Sequence, residues 1–359
     1  MISHALPLWR RFLIAAMRGF YFRVRVVGEM QMVGEMPAGE GACLALISHR
    51  NGAIDGYLAL AACPRLQFML SAQLTRNRLL RLMFSGIPVV RAKDRRRYAM
   101  RRSDFADPLE ACCGHLRTGG ALAFFPEGSS EWGPRPQPYQ AGCARIVRKM
   151  LEEGVRLRVV PIGLFYRQPD GFRSDVDVLP GPPVELPPRA PDEHPRHWER
   201  RLLAAMGAAL DAVSVNCPDE ETFARVERLA AAQADGRLPG REAASYARAF
   251  LSWQECARHG ELPDAPAPEQ SCRCVFWLYP FIAAFCLLFA PILLVGAHLG
   301  KKADGRNTVS FFRIIGGLAV ALFWLPMLLA LLFLFPLPMG IGLAMAWAGW
   351  AGFPGRGPS

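Results

Sequence analysis

The chain has 359 residues, of which 52% are hydrophobic, and a formal net charge of +11 at neutral pH. The length exceeds one average domain, and the positive excess suits an anionic membrane surface or phosphorylated substrates. No nucleic-acid-binding motif is present, so nucleic acid is not an expected partner. The ten cysteines show no zinc-ligand spacing, which predicts no metal site, and their dispersal favours a reducing cytoplasm over a disulfide framework.

The N-terminal segment, residues 1–22, has apolar residues at helical spacing with arginines outside the apolar face. We predict an interfacial membrane helix here, and a helix that covers a sheet is an equal alternative. A strand pattern follows at residues 22–28. Strands and helices then alternate to about residue 186, which predicts an α/β layered catalytic domain over residues 23–190.

The most informative segment runs from His49 to Asp55 and closes the apolar run Ala42 to Ile47. That run is typical of a buried strand, and open α/β sheets usually place their chemistry where strands end. A histidine oriented by a carboxylate is a general base that can deprotonate a hydroxyl. The alternative interpretation is a surface histidine followed by a helix-capping aspartate.

Three further segments follow in order: Gly86 to Arg91, Phe124 to Ser130, and Val159 to Leu164. With the His49 segment, they resemble the four blocks of the phospholipid/glycerol acyltransferase (PlsC-type) family. Five residues separate His49 from Asp55, where that family usually has four. In this longer first block the chain resembles a bacterial and fungal branch of the family that acylates glycerol 3-phosphate or dihydroxyacetone phosphate. The stretch Phe172-Arg173-Ser174 also resembles that branch.

The resemblance implies a mixed sheet flanked by helices and transfer of an acyl group from a thioester to a hydroxyl. It implies no cofactor, because acyl-CoA or acyl-acyl-carrier-protein is a cosubstrate. The family's usual arginine after the third block is replaced by serine, and Arg135 or Arg145 is a possible substitute. The resemblance implies His49 and Asp55 as the catalytic pair, and Arg91, Glu127, Gly128, Ser129, Asn51 and Gly86 as substrate-binding residues.

The C-terminal part of the chain differs in composition. Residues 191–268 are predicted as a helical appendage and linker. Val275 to Leu299 and Ile314 to Phe353 carry no charge, which predicts transmembrane helices in a membrane-embedded region at residues 274–353. Prolines within both stretches favour hairpins or re-entrant pairs. That arrangement would leave the basic loop 301–313 on the cytoplasmic side, whereas three plain crossings would place it outside.

The sequence therefore predicts a membrane-bound acyltransferase of phospholipid biosynthesis, in a bacterial inner membrane with its catalytic domain facing the cytoplasm. Its expected partners are the lipid bilayer, an acyl donor and a phosphorylated glycerol acceptor. Glycerol 3-phosphate is slightly favoured over 1-acylglycerol 3-phosphate. The alternative is a noncatalytic, basic membrane-remodelling protein on the same fold.

Overall fold

A computed structural model describes residues 11, 14–28, 41–71, 86–89, 107–266 and 276–353. Seven strands are present in this part of the chain: β1 Arg23–Val26, β2 Ala42–Ile47, β3 Leu66–Ser71, β4 Gly86–Val89, β5 Ala121–Phe124, β6 Leu157–Tyr166 and β7 Asp175–Pro180. A π-helical turn, Ala16–Tyr21, precedes β1, and a 3-10 turn, Phe276–Leu278, precedes α7. The α-helices are α1 Ala53–Ala59, α2 Pro108–Arg117, α3 Gly142–Glu152, α4 Pro195–Asp211, α5 Glu220–Ala234, α6 Tyr246–Arg258, α7 Tyr279–Leu288, α8 Ala290–Gly300, α9 Arg306–Leu334 and α10 Pro336–Ala351.

The strands form one sheet in the order β1-β7-β6-β2-β5-β3-β4. Strand β6 runs antiparallel to β7, and every other neighbouring pair is parallel. The predicted mixed sheet flanked by helices is therefore confirmed. All six residues of β2 are buried, because this strand is central and both of its faces are covered.

Side chains of β2 alternate between two hydrophobic clusters on opposite faces of the sheet. Leu44 belongs to the cluster built with helices α2 to α6, and Ala45 belongs to the cluster built with α1 and the N-terminal helical turn. Ile314 of α9 also joins the second cluster. The long apolar helix is thus anchored in the core of the α/β layer.

Helices α4, α5 and α6 share one hydrophobic core with the sheet. Trp198, Phe223 and Phe250 are buried in the same cluster as Leu44. These three helices, which lie within the segment 191–268 predicted as an appendage, form part of the helical layer that covers one face of the sheet.

The first uncharged C-terminal stretch folds into the short helices α7 and α8, which bend by 77° at their junction. Each has about ten residues and rises only about 15 Å, half of a bilayer's hydrocarbon core. Gly296 and Gly300 of α8 face α9, where the absence of side chains allows close helix packing.

The second uncharged stretch forms helices α9 and α10, which meet at Phe335 directly before Pro336. Among the described residues, α9 alone is long and apolar enough to cross a membrane by itself, and the bent α7–α8 pair would be a second span if counted as one. Helix α10 returns toward the N-terminal helical turn. At its end, the Trp350 indole N–H donates to the Phe20 carbonyl at 3.2 Å. The two ends of this helical pair therefore lie near the α/β layer.

Pro161 lies inside β6, opposite Leu46. Its carbonyl accepts a hydrogen bond from the Gly181 amide at 2.8 Å, directly after the end of β7. The proline thus lies just beyond Ile162 and Pro180, the last residues paired between β6 and β7, where a missing N–H is tolerated.

Candidate active site

The site residues come together because β2, β5 and β6 are parallel and end at the same edge of the sheet. His49 follows β2 by two residues, Glu127 follows β5 by three, and Tyr166 is the last residue of β6. Side chains from three segments that are distant in sequence thus meet at one edge.

His49 and Asp55 form the pair that the sequence predicted. The His49 Nδ1 atom lies 2.9 Å from the Asp55 Oδ2 atom. The Asp55 side chain is fully buried, whereas 17% of the His49 side chain is exposed. Gly52 makes this approach possible, since its φ of +56° turns the chain into α1, which carries Asp55.

The Asp55 carboxylate is held by three further donors. Its Oδ2 atom accepts the backbone N–H groups of Arg50 and Asn51, each at 2.7 Å. Its Oδ1 atom accepts the Tyr166 hydroxyl at 2.5 Å. Burial, together with the neighbouring Asp55 carboxylate, raises the pKa of Tyr166 well above its ordinary value, so the hydroxyl stays a donor. The aspartate is thereby fixed in its acceptor role.

The His49 ring stacks on Phe125, with ring centroids 4.3 Å apart and planes inclined by 28°. Because Nδ1 faces Asp55, Nε2 is the nitrogen left to take a proton. A histidine with one nitrogen tied to a buried carboxylate and a partly exposed ring can act as a general base toward a bound hydroxyl.

Glu127 joins the first block to the third. One carboxylate oxygen accepts the His49 backbone N–H at 2.7 Å, and the other accepts the Gln137 backbone N–H at 3.0 Å. Burial raises the pKa of Glu127, and these two hydrogen bonds oppose that shift. In the structure both oxygens hold backbone, so Glu127 positions the His49 loop, and its predicted contact with the acceptor stays a prediction.

Gly128 follows with a φ of +71°, a conformation that favours glycine, and its amide donates to the Phe125 carbonyl at 3.1 Å. This tight turn leaves Ser129 exposed at the surface of the site. The third block therefore contains a tight turn at Gly128.

The remaining predicted binding residues differ in location. Asn51 is fully buried and donates from Nδ2 to the Pro169 carbonyl at 2.9 Å, so it tethers the His49 loop to the loop after β6. Gly86 begins β4, which two strands separate from β2, and packs against the backbone of Phe68. Arg91 lies outside the described residues. The substrate-binding roles of all three stay predictions.

Two basic residues were considered as substitutes for the missing arginine of the third block. Arg135 donates from Nε to the Cys217 carbonyl at 3.3 Å and also bonds the Pro218 carbonyl, so its guanidinium holds a loop. Arg145 is exposed on α3. The hydroxyl of Ser48, next to His49, accepts the Leu164 amide at 2.9 Å, so this serine joins the His49 loop to β6.

Sequence reasoning missed a buried polar cluster behind the histidine. The Arg50 guanidinium lies 4.4 Å from the Trp132 ring centroid and donates to the Gly133 carbonyl at 3.0 Å. Burial raises the pKa of nearby Glu227 to about 7, and the charge of Arg50 opposes this shift. Tyr166 was also missed. The sequence signal that could have identified Arg50 was its position next to His49. Tyr166 had no such signal, because in the sequence it looks like the end of any apolar strand.

Helix α9 reaches the same loops from the C-terminal region. The Asn307 side chain donates to the Ser130 carbonyl at 2.8 Å, and its backbone carbonyl lies against Gly52. The Ser310 hydroxyl bonds the Pro169 carbonyl, which also accepts from Asn51. The first two turns of α9 therefore contact the first block, the third block and the loop after β6. Among the residues that the structure describes, no cluster of three or more metal-ligating side chains occurs.

Comparisons with known proteins give relatives for this arrangement. No family model matches the chain. The chain is 32% identical over 269 residues to glycerol-3-phosphate O-acyltransferase 1 of Saccharomyces cerevisiae, a match that takes in 58% of this chain and 35% of the yeast protein. It is 29% identical over 125 residues to glycerol-3-phosphate O-acyltransferase 2 of the same yeast, across 33% of this chain and 17% of that protein. The matched region thus spans about a third of the length of the first yeast relative and a smaller share of the second.

A solved structure, the 1-acyl-sn-glycerophosphate acyltransferase of Thermotoga maritima, matches 55% of this chain and 77% of its own. Its identity is 16% and the TM-score is 0.37, too low to support a conclusion. The sequence relatives confirm the predicted resemblance to the glycerolipid acyltransferases.

Proposed function

We propose that this chain, a relative of the glycerolipid acyltransferases, transfers a fatty acyl group from an acyl thioester to a hydroxyl of a phosphorylated glycerol. The observation that carries the proposal is the His49 ring, held at 2.9 Å by a fully buried Asp55 carboxylate and partly open on its other side. A buried carboxylate with four hydrogen-bond donors around it serves to orient an imidazole that changes its charge during a reaction.

In the proposed step, His49 Nε2 takes the proton of the acceptor hydroxyl while the hydroxyl oxygen attacks the thioester carbonyl carbon. A carbon–oxygen bond forms and the carbon–sulfur bond breaks. The thiolate leaves with the proton returned from His49, so the histidine is neutral again after each turnover. Asp55 stabilises the intervening imidazolium. Since the acceptor oxygen attacks directly, no acyl-enzyme is required.

For the acceptor, glycerol 3-phosphate is favoured over 1-acylglycerol 3-phosphate. Support comes from the five-residue spacing between His49 and Asp55, and from the names of the two yeast relatives. The acyl donor would be acyl-CoA or acyl-acyl-carrier-protein. Arg91 would bind the acceptor phosphate, because a guanidinium can make two parallel hydrogen bonds to phosphate oxygens.

We also propose that helices α7 to α10 embed the protein in a bacterial inner membrane with the α/β layer in the cytoplasm. The start of α9 and the end of α10 both contact the α/β layer, as a helical hairpin requires. Residues 314–334 of α9 would rise about 31 Å, which matches the roughly 30 Å hydrocarbon core. Lys301 and Lys302 precede α9, and short basic loops prefer the cytoplasmic side.

The alternative, a noncatalytic membrane-remodelling protein, is disfavoured by the intact pairing of His49 with Asp55. The test is to incubate membranes that contain the protein with glycerol 3-phosphate, dihydroxyacetone phosphate or 1-acylglycerol 3-phosphate, each with both kinds of thioester. Acylation of glycerol 3-phosphate, absent from matched membranes carrying His49→Ala protein, is the expected result. No acylation of any acceptor by the unmodified protein would contradict the proposal.

A further inference from the structure

An apolar cavity of about 570 Å³ lies between the N-terminal helical turn, the loop after β6 and the helices α8 and α9. Its volume is in the range of small-molecule binding sites, about 300–1,000 Å³. Neither His49 nor Asp55 lines it. Its walls include Phe20, Phe172, Ile292, Ile314, Leu318 and Leu325.

The cavity follows one face of α9. The residues that α9 contributes extend from Arg313 to Leu325, and twelve residues of α-helix rise about 18 Å. A single leaflet of a bilayer has a hydrocarbon thickness of about 15 Å, half of the whole core. The length of the cavity thus suits one acyl chain.

The two ends of the cavity differ in polarity. One end carries Arg313, whose guanidinium donates to the Asp170 carbonyl. The Arg313 Nε atom is buried and has no hydrogen-bond partner among the described residues. The other end is apolar. This polarity suits a ligand with one acyl chain and an anionic head group, since the head can supply the missing acceptor.

The polar end lies close to the proposed active site without coinciding with it. Asn307, which binds Ser130 beside the His49 loop, precedes Arg313 by six residues, or about 9 Å along α9. A head group bound at Arg313 would therefore be displaced from the histidine. The cavity therefore lies beside the proposed catalytic residues and does not include them.

We propose that this cavity is an exit site for the acylated product, a single-chain glycerophospholipid with its chain along α9 and its phosphate at Arg313. The inference rests on the proposed acyl transfer. The product must pass into the bilayer, and the outward side of α9 is apolar and open, with Leu322 69% and Phe323 80% exposed. A thioester donor, by contrast, carries a large polar head that arrives from water.

The experiment measures equilibrium binding of radiolabelled 1-hexadecanoylglycerol 3-phosphate to the purified full chain in nanodiscs, without acyl donor. Ala321→Trp fills the cavity, and Leu322→Trp places the same ring one residue away on the exposed side of α9. Each excluded methylene weakens binding about fourfold. We expect at least a tenfold loss of affinity in Ala321→Trp, a smaller loss for its octanoyl analogue, and no change in Leu322→Trp.

Arg313→Gln should weaken binding of the phosphorylated lipid and leave binding of 1-hexadecanoylglycerol unchanged, while Lys302→Gln in the neighbouring loop alters neither. Ala321→Leu tests the same direction should the tryptophan prevent folding. Unchanged binding in both Ala321 variants overturns the inference. A loss of affinity for hexadecanoyl-CoA alone in these variants would make the cavity a donor site and would also overturn the inference. Full displacement of the probe by phosphatidylglycerol would make it a bilayer-lipid site and would overturn it as well. Turnover of glycerol 3-phosphate by the unmodified chain tests the proposed function separately.

Discussion

Replacement of Asp55 by asparagine tests how the histidine is oriented. In the structure, Asp55 Oδ2 faces the His49 ring and the backbone N–H groups of Arg50 and Asn51, and Oδ1 faces the Tyr166 hydroxyl. An asparagine can keep its oxygen toward the three nitrogen donors and turn its NH₂ group toward the tyrosine oxygen, which can also accept. The geometry is therefore retained, and the negative charge is lost.

Because the charge stabilises the imidazolium that forms during proton transfer, we expect a fall in kcat of roughly 10²–10⁴-fold. KM should change little, since the fully buried Asp55 side chain does not reach substrate. The assay is the initial rate of acyl transfer with saturating donor and acceptor. Asp235→Asn is the matched control, because its carboxylate pairs with Arg167 at the end of α5. An Asp55→Asn enzyme that keeps a kcat within about threefold of the unmodified chain refutes this reasoning.

Three further predictions concern binding, topology and stability. Arg91→Ala should raise KM for the phosphorylated acceptor more than it lowers kcat, and a change confined to the KM of the thioester would assign Arg91 to the donor. A single cysteine at position 304, in an otherwise cysteine-free chain in intact cells, should resist an impermeant maleimide, and its labelling would contradict the hairpin. Burial raises the pKa of Glu227 from 4.5 to about 7, so the folded protein retains a proton that the unfolded chain releases in this window. Its contribution to stability is present below pH 4.5 and is lost as the pH rises to about 7, which lowers the thermal midpoint over this range. Glu227→Gln should flatten this decline of the thermal midpoint with pH. If the variant shows the same decline as the unmodified chain, Glu227 does not cause it.

Much of the layered domain could be predicted from local pattern. The run Ala42 to Ile47 is a fully buried strand, as its uninterrupted apolar sequence indicated. The pair of His49 and Asp55 was predictable because both residues follow that strand closely, His49 in the turn and Asp55 at the start of α1. Their contact depends on a few residues of backbone and not on the rest of the chain.

Other parts of the site depend on contacts between distant segments. Tyr166 contacts Asp55 across 111 positions, through the parallel pairing of β6 with β2, which strand patterns do not specify. The hydrogen bond from the Gly181 amide to the Pro161 carbonyl likewise joins β6 to the end of β7, a pairing that strand patterns also do not specify.

The contact of α9 with the active-site loops was also not predictable. Its sequence shows an apolar helix, which indicates a membrane segment by composition alone. The bonds from Asn307 and Ser310 to the loops of the α/β layer depend on how the helix docks. The available signal for this docking was that polar residues, Asn307 and Ser310, lie at the start of an apolar helix. The same residues would be expected where such a helix meets water, so the signal did not distinguish the two cases.

The claim that His49 is the general base is tested most directly by the His49→Ala chain in nanodiscs, with glycerol 3-phosphate and an acyl thioester both saturating. We expect kcat to fall by roughly 10²–10⁴-fold while the thermal midpoint and membrane association stay unchanged. Turnover close to that of the unmodified chain would contradict the assignment of His49 and, with it, the proposed reaction mechanism.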